Sequence, residues 1–434
     1  MRAIPGFRPA VCPDAGCRGR VGRSRQYDPS RPIAPDRDAP DPMHPDPAPL
    51  IDRLTRHARR LVLVASGGGS AAIAALVGTP GASAAVLEGL VPYAREAVDA
   101  LLGGPQESYC SARTARRLAV AAWQRAAMLS GTAECPASAC LGAAVTASLR
   151  TLTPKRGQHR LFAATHCLDA TAVAELVLDK GARSRAEEEA VAAAMLLAAV
   201  AAASGGDDTP PTGLLRPGEQ VIQTRAEPPT AWRELAAGQR PVVAAVPATD
   251  ALPRPGGVVF PGSFDPLHEG HRQMAAVTAE IAERPVAYEL SITNVDKPAL
   301  DWIELRDRVA QFTAAADGRP QLWLTRAATF LEKLAVFPQH TFVMGADTYV
   351  RLADPRYYGG SADAARAAVR RIATEARGLI VFGRVQEGVF QDPAQLDVPQ
   401  PLRDVTYFVS QREFRLDISS TEIRRRTLAG EEAR

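Results

Sequence analysis

The stretch VVFPGSFDPLHEGHRQMA, residues 258–275, decides how the second half of this chain folds. VVF is a short apolar run of buried-strand type. Gly-Ser-Phe-Asp-Pro is a turn, in which Gly262 lets the backbone approach a ligand closely. From Gly270 the pattern GHRQMAAVTAEIAE predicts a helix. Strand, turn and helix in that order place His268, Gly270 and His271 at the first helical turn. Backbone N–H groups there face outward and the helix dipole favours an anion. Two imidazoles at such a place suit a triphosphate, because they stabilise the charge that builds up during in-line attack on the α-phosphorus. That chemistry is mostly positioning and electrostatics and needs no covalent nucleophile. A plain loop with a capping histidine is the competing reading. Zinc would need one or two further ligands, and the chain has 7 histidines and no cysteine near this loop. No metal site is therefore expected, beyond magnesium carried in with ATP.

A second anion site lies in DISSTEIRRR, residues 417–426. Ser419, Ser420 and Thr421 offer hydroxyls and an N-cap, Glu422 sits in the first turn and Arg424 follows. Hydroxyls, N–H groups and a guanidinium together make a phosphate clamp. Alone, the segment also fits an ordinary capping box. Two such motifs, each at a strand-to-helix junction of one unit, favour phosphate handling.

Working outward, the second unit begins near residue 256 and alternates strands and helices: AYELSIT, WIELRDRVAQFTAAA, QLWLTR, ATFLEKLAVF, HTFVMGAD, ADAARAAVRRIATEAR and GLIVFGR. A first unit over 51–205 alternates likewise. IDRLTRHARRLV leads into the strand RLVLVAS, GGGS opens a small-residue helix, and AREAVDALLG is a helix closed by Gly103. SARTARRLAVAAWQRAAML is a helix with Ser111 as N-cap, CLGAAVTASL and HRLFAATHC are later strands, and RAEEEAVAAAMLLAAVAAA is the closing helix. Strands alternating with helices argue for two α/β domains, with sites at the C-terminal ends of strands. Residues 206–255 are Gly/Pro-rich and read as a linker with some local structure. Residues 1–48, rich in Pro, Arg and Asp, are expected to be disordered. The first 26 residues are Arg-rich and acid-poor, a weak transit-peptide trait.

Net charge is +3 and charged residues make up 23% of the chain, so nothing demands nucleic acid or a membrane as partner. The 6 cysteines are scattered over 434 residues, which is no disulfide framework and points to a reducing, cytoplasmic compartment. The alanine-rich run 190–206 reads as a buried helix of a soluble domain.

GSFDPLHEGH together with ISSTEIR resembles the HxGH nucleotidylyltransferase superfamily over about 257–430. Within it, the chain is most similar to nicotinamide/nicotinate mononucleotide adenylyltransferases, through SITNVDKP, ELRDRV and FVMGADTYVRLADPRYY. The resemblance implies a Rossmann-like parallel-sheet fold that moves AMP from Mg-ATP to a small phosphorylated acceptor. It implies that His268 and His271 bind and activate the ATP phosphates and that Ser419, Ser420, Thr421 and Arg424 hold them. Gly262, Ser263, Phe264 and Gly270 of the loop, with Gly345 and Asp347, would lie at the nucleotide. Lys297 and Arg306 are weaker candidates for phosphate contacts, against a reading as surface charges. Trp302 and Trp323 are candidates to stack on a pyridine ring, against packing. FPGSFDP also resembles the phosphopantetheine adenylyltransferase loop, so the acceptor is less defined than the reaction. A sensor with two degenerate nucleotide sites is a third reading. Self-association is common in the family and is compatible with this chain.

The first unit resembles the CinA C-terminal family, the nicotinamide-nucleotide amidohydrolases. ASGGGSAAIAALVGTPGAS and EGLVPYAREAVDALLG carry the likeness, with SARTARRLAVAA and GARSRAEEEAVAAAML. Departures fall on polar positions: Ala94 and Arg95 replace Ser-Asn, Val98 replaces a lysine, and Ser66-Gly67-Gly68 replaces Ser-Cys-Thr. Amide hydrolysis needs an activated nucleophile or base, so loss or alteration of that activity is expected. TPKRGQHR, residues 153–160, is a basic candidate for an anionic ligand, or a solvated loop. Both resemblances point to pyridine nucleotides, which favours that acceptor.

Overall fold

A computed structural model describes residues 46–131, 137–206, 211–295, 297–314, 320–386 and 389–414. The segment DISSTEIRRR, with Ser419, Ser420, Thr421 and Arg424, lies outside the described residues, as does the 1–45 part of the N-terminal extension.

The first sheet is built from β1 (Arg60–Ser66), β2 (Val86–Leu90), β3 (Cys140–Ser148), β4 (His159–His166), β5 (Thr171–Leu178) and β6 (Val221–Ala226), in the order β2-β1-β3-β4-β5-β6. β1 pairs in parallel with β2 and β3, and the remaining pairs are antiparallel. Its helices are α1 (Ala48–Arg56), α2 (Ser70–Val77), α3 (Arg95–Leu102), α4 (Ala112–Leu129) and α5 (Arg185–Ala203). Alternation along β1 explains the layering. Val62 and Val64 face one core with Leu118 of α4, while Leu61 and Leu63 face another with Leu196 of α5. Ser111 caps α4, its hydroxyl accepting from the Thr114 N–H at 3.2 Å. Ser184 and Glu187 cap α5 reciprocally. The alanine-rich run is thus a core helix, and among the described residues no helix is long and apolar enough to cross a membrane.

The stretch expected as a linker supplies a strand to each sheet. β6 closes the first sheet, and after α6 (Thr230–Ala236), β7 (Val242–Val246) and β8 (Ala248–Thr249) edge the second. β6 escaped detection because it is an edge strand with mostly exposed side chains, so it has no apolar alternation to read. β5 was missed too, and its burial pattern alternates only partly.

The second sheet continues with β9 (Val258–Pro261), α7 (Glu269–Ala282), β10 (Val286–Ser291), α8 (Trp302–Thr313), β11 (Leu322–Thr325), α9 (Phe330–Val336), β12 (Thr341–Gly345), α10 (Ala346–Arg351), α11 (Ala362–Glu375) and β13 (Gly378–Phe382). A hairpin of β14 (Arg384–Gln386) and β15 (Val389–Gln391) follows, then α12 (Gln400–Arg403) and β16 (Thr406–Val409). The order is β16-β13-β12-β9-β10-β11-β7-β8. From β16 to β11 every pairing is parallel, and β7 joins antiparallel. This is a doubly wound sheet whose order reverses between β9 and β12, where such folds open a crevice at the strands' C-terminal ends.

The two sheets are joined by a continuous core. One apolar cluster runs from Val62, Leu118 and Phe162 through Ala226 to Trp302, Leu305, Phe260 and Leu290. α8 packs on β7 of its own sheet and on β5 and β6 of the other. The close seating of α4 on β3 depends on Gly142. A Cβ there would meet the Ala119 carbonyl oxygen at 2.0 Å and the Trp123 nitrogen at 2.3 Å. Gly142→Ala is therefore expected to destabilise the chain by about 2–3 kcal/mol or more, read as a lower urea midpoint at unchanged slope.

Candidate nucleotidyl-transfer site

The loop after β9 is held by aromatic packing. Phe264 is fully buried and sits at φ +45°, a strained position for a bulky side chain. Its ring meets Phe260, Tyr288 and Phe312 edge-on at 5.3–5.6 Å, which keeps it there. Gly262 makes room: a Cβ at that position would stand 2.5 Å from the Phe264 ring. Phe264 is thus the floor of the loop, and its buried ring sets the histidine behind it.

His268 is the N-cap residue of α7 and His271 lies in its first turn. Their rings stack at 3.8 Å, and His271 also meets the Phe264 ring edge-on at 5.1 Å. The backbone N–H of His268 donates to Nδ1 of His271 at 3.3 Å. In the neutral imidazole this leaves the proton on Nε2 of His271, a donor for an anion. Nδ1 of His268 is buried with no hydrogen-bond partner among the described residues, the kind of atom a ligand or water satisfies. Burial, and then the neighbouring His268, push His271 down to about 3. Burial and Arg272 lower His268. Both rings are therefore neutral near pH 7.

A cavity of about 420 Å³ opens at the C-terminal ends of β9 and β10. Pro261, Gly262, Ser263, Asp265 and the Glu289–Asn294 segment line it, with Lys297 and Thr348. His268 and His271 are not among its walls. Gly345 caps α10 at the end of β12, next to the point where strand order reverses, and Asp347 is exposed in the first turn of that helix. Arg306 is on the surface, bonded to Asp307 at 2.9 Å. The two tryptophans proposed for stacking are core residues. Trp302 is 3% exposed, and its indole N–H donates to the Cys167 carbonyl at 2.9 Å while its ring lies against His166 at 5.7 Å. Trp323 is equally buried. Large apolar area and a reachable acceptor drew both inward.

Several polar residues of the site carry no sequence motif. Glu289 is fully buried beneath the cavity and accepts from Lys333 Nζ at 2.7 and 2.9 Å. Asp265, in the turn, is paired with Arg113 of α4 and lies 3.4 Å from Arg308. Arg308 donates to the Ser263 carbonyl at 2.7 Å and pairs with Glu304. Glu304 also accepts from Arg113 at 2.8 Å. Burial would raise Glu304, but Arg308, Arg113 and Arg117 together hold it well below the usual carboxylate range. Arg116 binds Asp301, the N-cap of α8, with both carboxylate oxygens 3.1 Å from its Nε. Only the Glu304–Arg308 spacing, one helical turn within ELRDRV, was visible in the sequence; the partners on α4 lie about 190 residues away. Among the described residues no group of three or more His, Cys, Asp or Glu is placed to hold a metal, and Cys110, Cys140 and Cys167 form no disulfide with one another.

Comparison with known proteins agrees with this geometry for the second sheet. The family model described as cytidylyltransferase-like matches residues 259–426. That part of the chain is thus similar to cytidylyltransferase-like proteins. No curated protein matches the chain. Among solved structures, the chain is similar to a competence-damaged protein (CinA) superfamily protein from Escherichia coli, at 19% identity over 36% of this chain and 88% of that one, with a TM-score of 0.30. It is also similar to a competence/damage inducible protein from Agrobacterium tumefaciens, at 21% identity over 36% and 93%, TM-score 0.30. A CinA superfamily protein from Enterobacter cloacae matches at 14% identity over 40% and 96%, TM-score 0.30.

The depressed His271 value has a stability consequence. The folded state favours the neutral ring, so between about 6.5 and about 3 the unfolded state binds more protons. Stability from this group is thus fully present above the unfolded value and is lost as pH falls. Urea titrations at pH 7 and pH 5 are expected to show a larger drop for the native chain than for His271→Asn.

Proposed function

We propose that the C-terminal domain transfers adenylate from Mg-ATP to a pyridine mononucleotide and releases pyrophosphate. The observation that carries this reading is the stacked pair of neutral imidazoles at the start of α7, beside the reversal of strand order. The acceptor's phosphate oxygen attacks the α-phosphorus, an O–P bond forms, and the bond from Pα to the bridging oxygen breaks, with the electron pair leaving on pyrophosphate. The N–H on Nε2 of His271 and the free N–H groups of α7 are the donors for the charge that grows on the α-phosphate oxygens. Magnesium bound to ATP would neutralise part of the phosphate charge. The pyridine acceptor is supported by the likeness of SITNVDKP, whose residues Ser291, Thr293, Asn294 and Lys297 line the cavity, and of the segment around Gly345 and Asp347. Ser419, Ser420, Thr421 and Arg424 are proposed as the second clamp on the triphosphate.

The N-terminal domain is proposed to have no amide-hydrolysing activity. Val98, where the amidohydrolase pattern has lysine, is a core residue at 2% exposure, and Ala94 caps α3 with no side-chain hydrogen bond. A hydrocarbon buried there supplies neither base nor polarising group.

Incubation with ATP and either pyridine mononucleotide, followed by chromatography, is expected to yield the dinucleotide and pyrophosphate. No dinucleotide from either, or turnover only with phosphopantetheine or CTP, overturns the assignment. His271→Ala is expected to lose about 10²–10³ in kcat with an unchanged unfolding curve at pH 7. Without ATP, nicotinamide mononucleotide is expected to release no ammonia.

A further inference from the structure

The cavity beside the transfer site is not built by one domain. Leu102, Pro105, Glu107, Arg113 and Arg117 of the N-terminal domain form one wall, facing the loop after β9 and the end of β10. Strand order reverses between β9 and β12, so a reaction that joins two nucleotides has one half-site on each side. The segment at Gly345 and Asp347 lies on the β12 side. The cavity lies mainly over β9, β10 and the end of β11, with Thr348 of α10 its one lining residue from the β12 side, so most of it is on the side left for the acceptor.

The charges in this cavity are unequally satisfied. Lys333 is taken up by Glu289. Arg113 and Arg308 share Asp265 and Glu304, with Glu107 3.4 Å from Arg113. Arg117 is the exception. Its guanidinium donates to the neutral Gln106 Oε1 at 3.0 Å, and among the described residues its carboxylate partner is Glu304 at 3.9 Å, an acid already engaged by two closer guanidiniums. Its side chain is 24% exposed, so water screens it only partly. Burial, then the like charge of Arg113, lower its proton affinity. A cation in this state gains more from an incoming anion than a paired one, and a guanidinium fork matches a phosphate.

We infer that Arg117 of the N-terminal domain binds the phosphate of the acceptor, so that this domain is part of the transferase's substrate site. The inference deepens the proposed function and depends on it only for the identity of the acceptor. The α4 ion pairs with Asp265 and Glu304 hold that wall in register with the loop; Arg117 supplies the contact.

Ribose 5-phosphate, the anionic fragment of such a mononucleotide, tests this without turnover. Calorimetry on the full chain is expected to show ribose 5-phosphate binding and no ribose binding. Arg117→Met is expected to weaken that binding about 10- to 100-fold, the range for a charge-assisted hydrogen bond. In turnover assays the variant is expected to raise the acceptor KM by a similar factor and to leave the KM for ATP within about twofold. Arg117→Lys keeps the charge but not the fork and is expected to fall between; it also serves if Arg117→Met does not fold. Arg125→Ala, on the same helix but paired with Glu88 outside the cavity, is expected to bind as the native chain does. The inference is overturned if the native chain does not bind ribose 5-phosphate, if the folded Arg117 variants bind it equally well, if Arg125→Ala weakens it as much, or if the ATP KM rises instead of the acceptor KM. Ribose 5-phosphate binding through Arg117 without dinucleotide formation would sink the pyridine assignment and leave this inference standing.

Discussion

The structure turns on one buried acid. Glu304 sits in the first turn of α8 and lies against Arg308 of its own helix and Arg113 of α4. Two domains and the transfer loop meet at that carboxylate, because Arg113 and Arg308 both reach on to Asp265 in the turn after β9. Removing one member of such a cluster leaves an uncompensated charge in a low-dielectric place, which costs far more than the net worth of any single pair. The cluster therefore fixes position: α8 against the first sheet, and the Gly-Ser-Phe-Asp-Pro turn against α8.

Apolar contacts carry the same message. Trp302 begins α8, buries its ring against His166 of β4 and donates to a carbonyl just past that strand. His166 is kept neutral by burial, down to about 3, and is satisfied by Thr171, whose hydroxyl also accepts from the Trp302 backbone N–H. A tryptophan used this way is an anchor between sheets. The N-terminal domain is thus joined to the C-terminal one through core packing and ion pairs, which differs from two domains tethered by a flexible segment. In the same domain, the position where the amidohydrolase pattern has a lysine holds a core valine, while Arg113 and Arg117 of α4 line the cavity over the other sheet.

The loop after β9 shows how packing holds a strained backbone in place. Phe264 holds a positive φ because the rings around it leave no other place for its side chain, and Gly262 is small because that ring stands beside it. The pair sets the backbone that leads to His268, and the Phe264 ring supports His271. Neutral, stacked imidazoles at a helix start are unsuited to an ordinary surface and suited to an anion that brings its own charge.

The sequence by itself determined the local parts. The strand–glycine–helix unit at 258–275, the helix cap at Ser111, the strand RLVLVAS and the place of Gly345 at a strand end all follow from residue type and spacing, which act over a few residues. The same local rules were blind to β6 and β7, which are recognisable only beside the strands they pair with, and they left Trp302 open between stacking and packing. Tertiary structure alone decided that residues 221–246 edge two sheets, that β9 and β12 are neighbours, and that Arg113 and Arg117 line a cavity with a loop about 150 residues away. The reason is physical: a charge's partner and a tryptophan's burial are settled by what packs opposite, and no spacing within a chain encodes which distant element that will be.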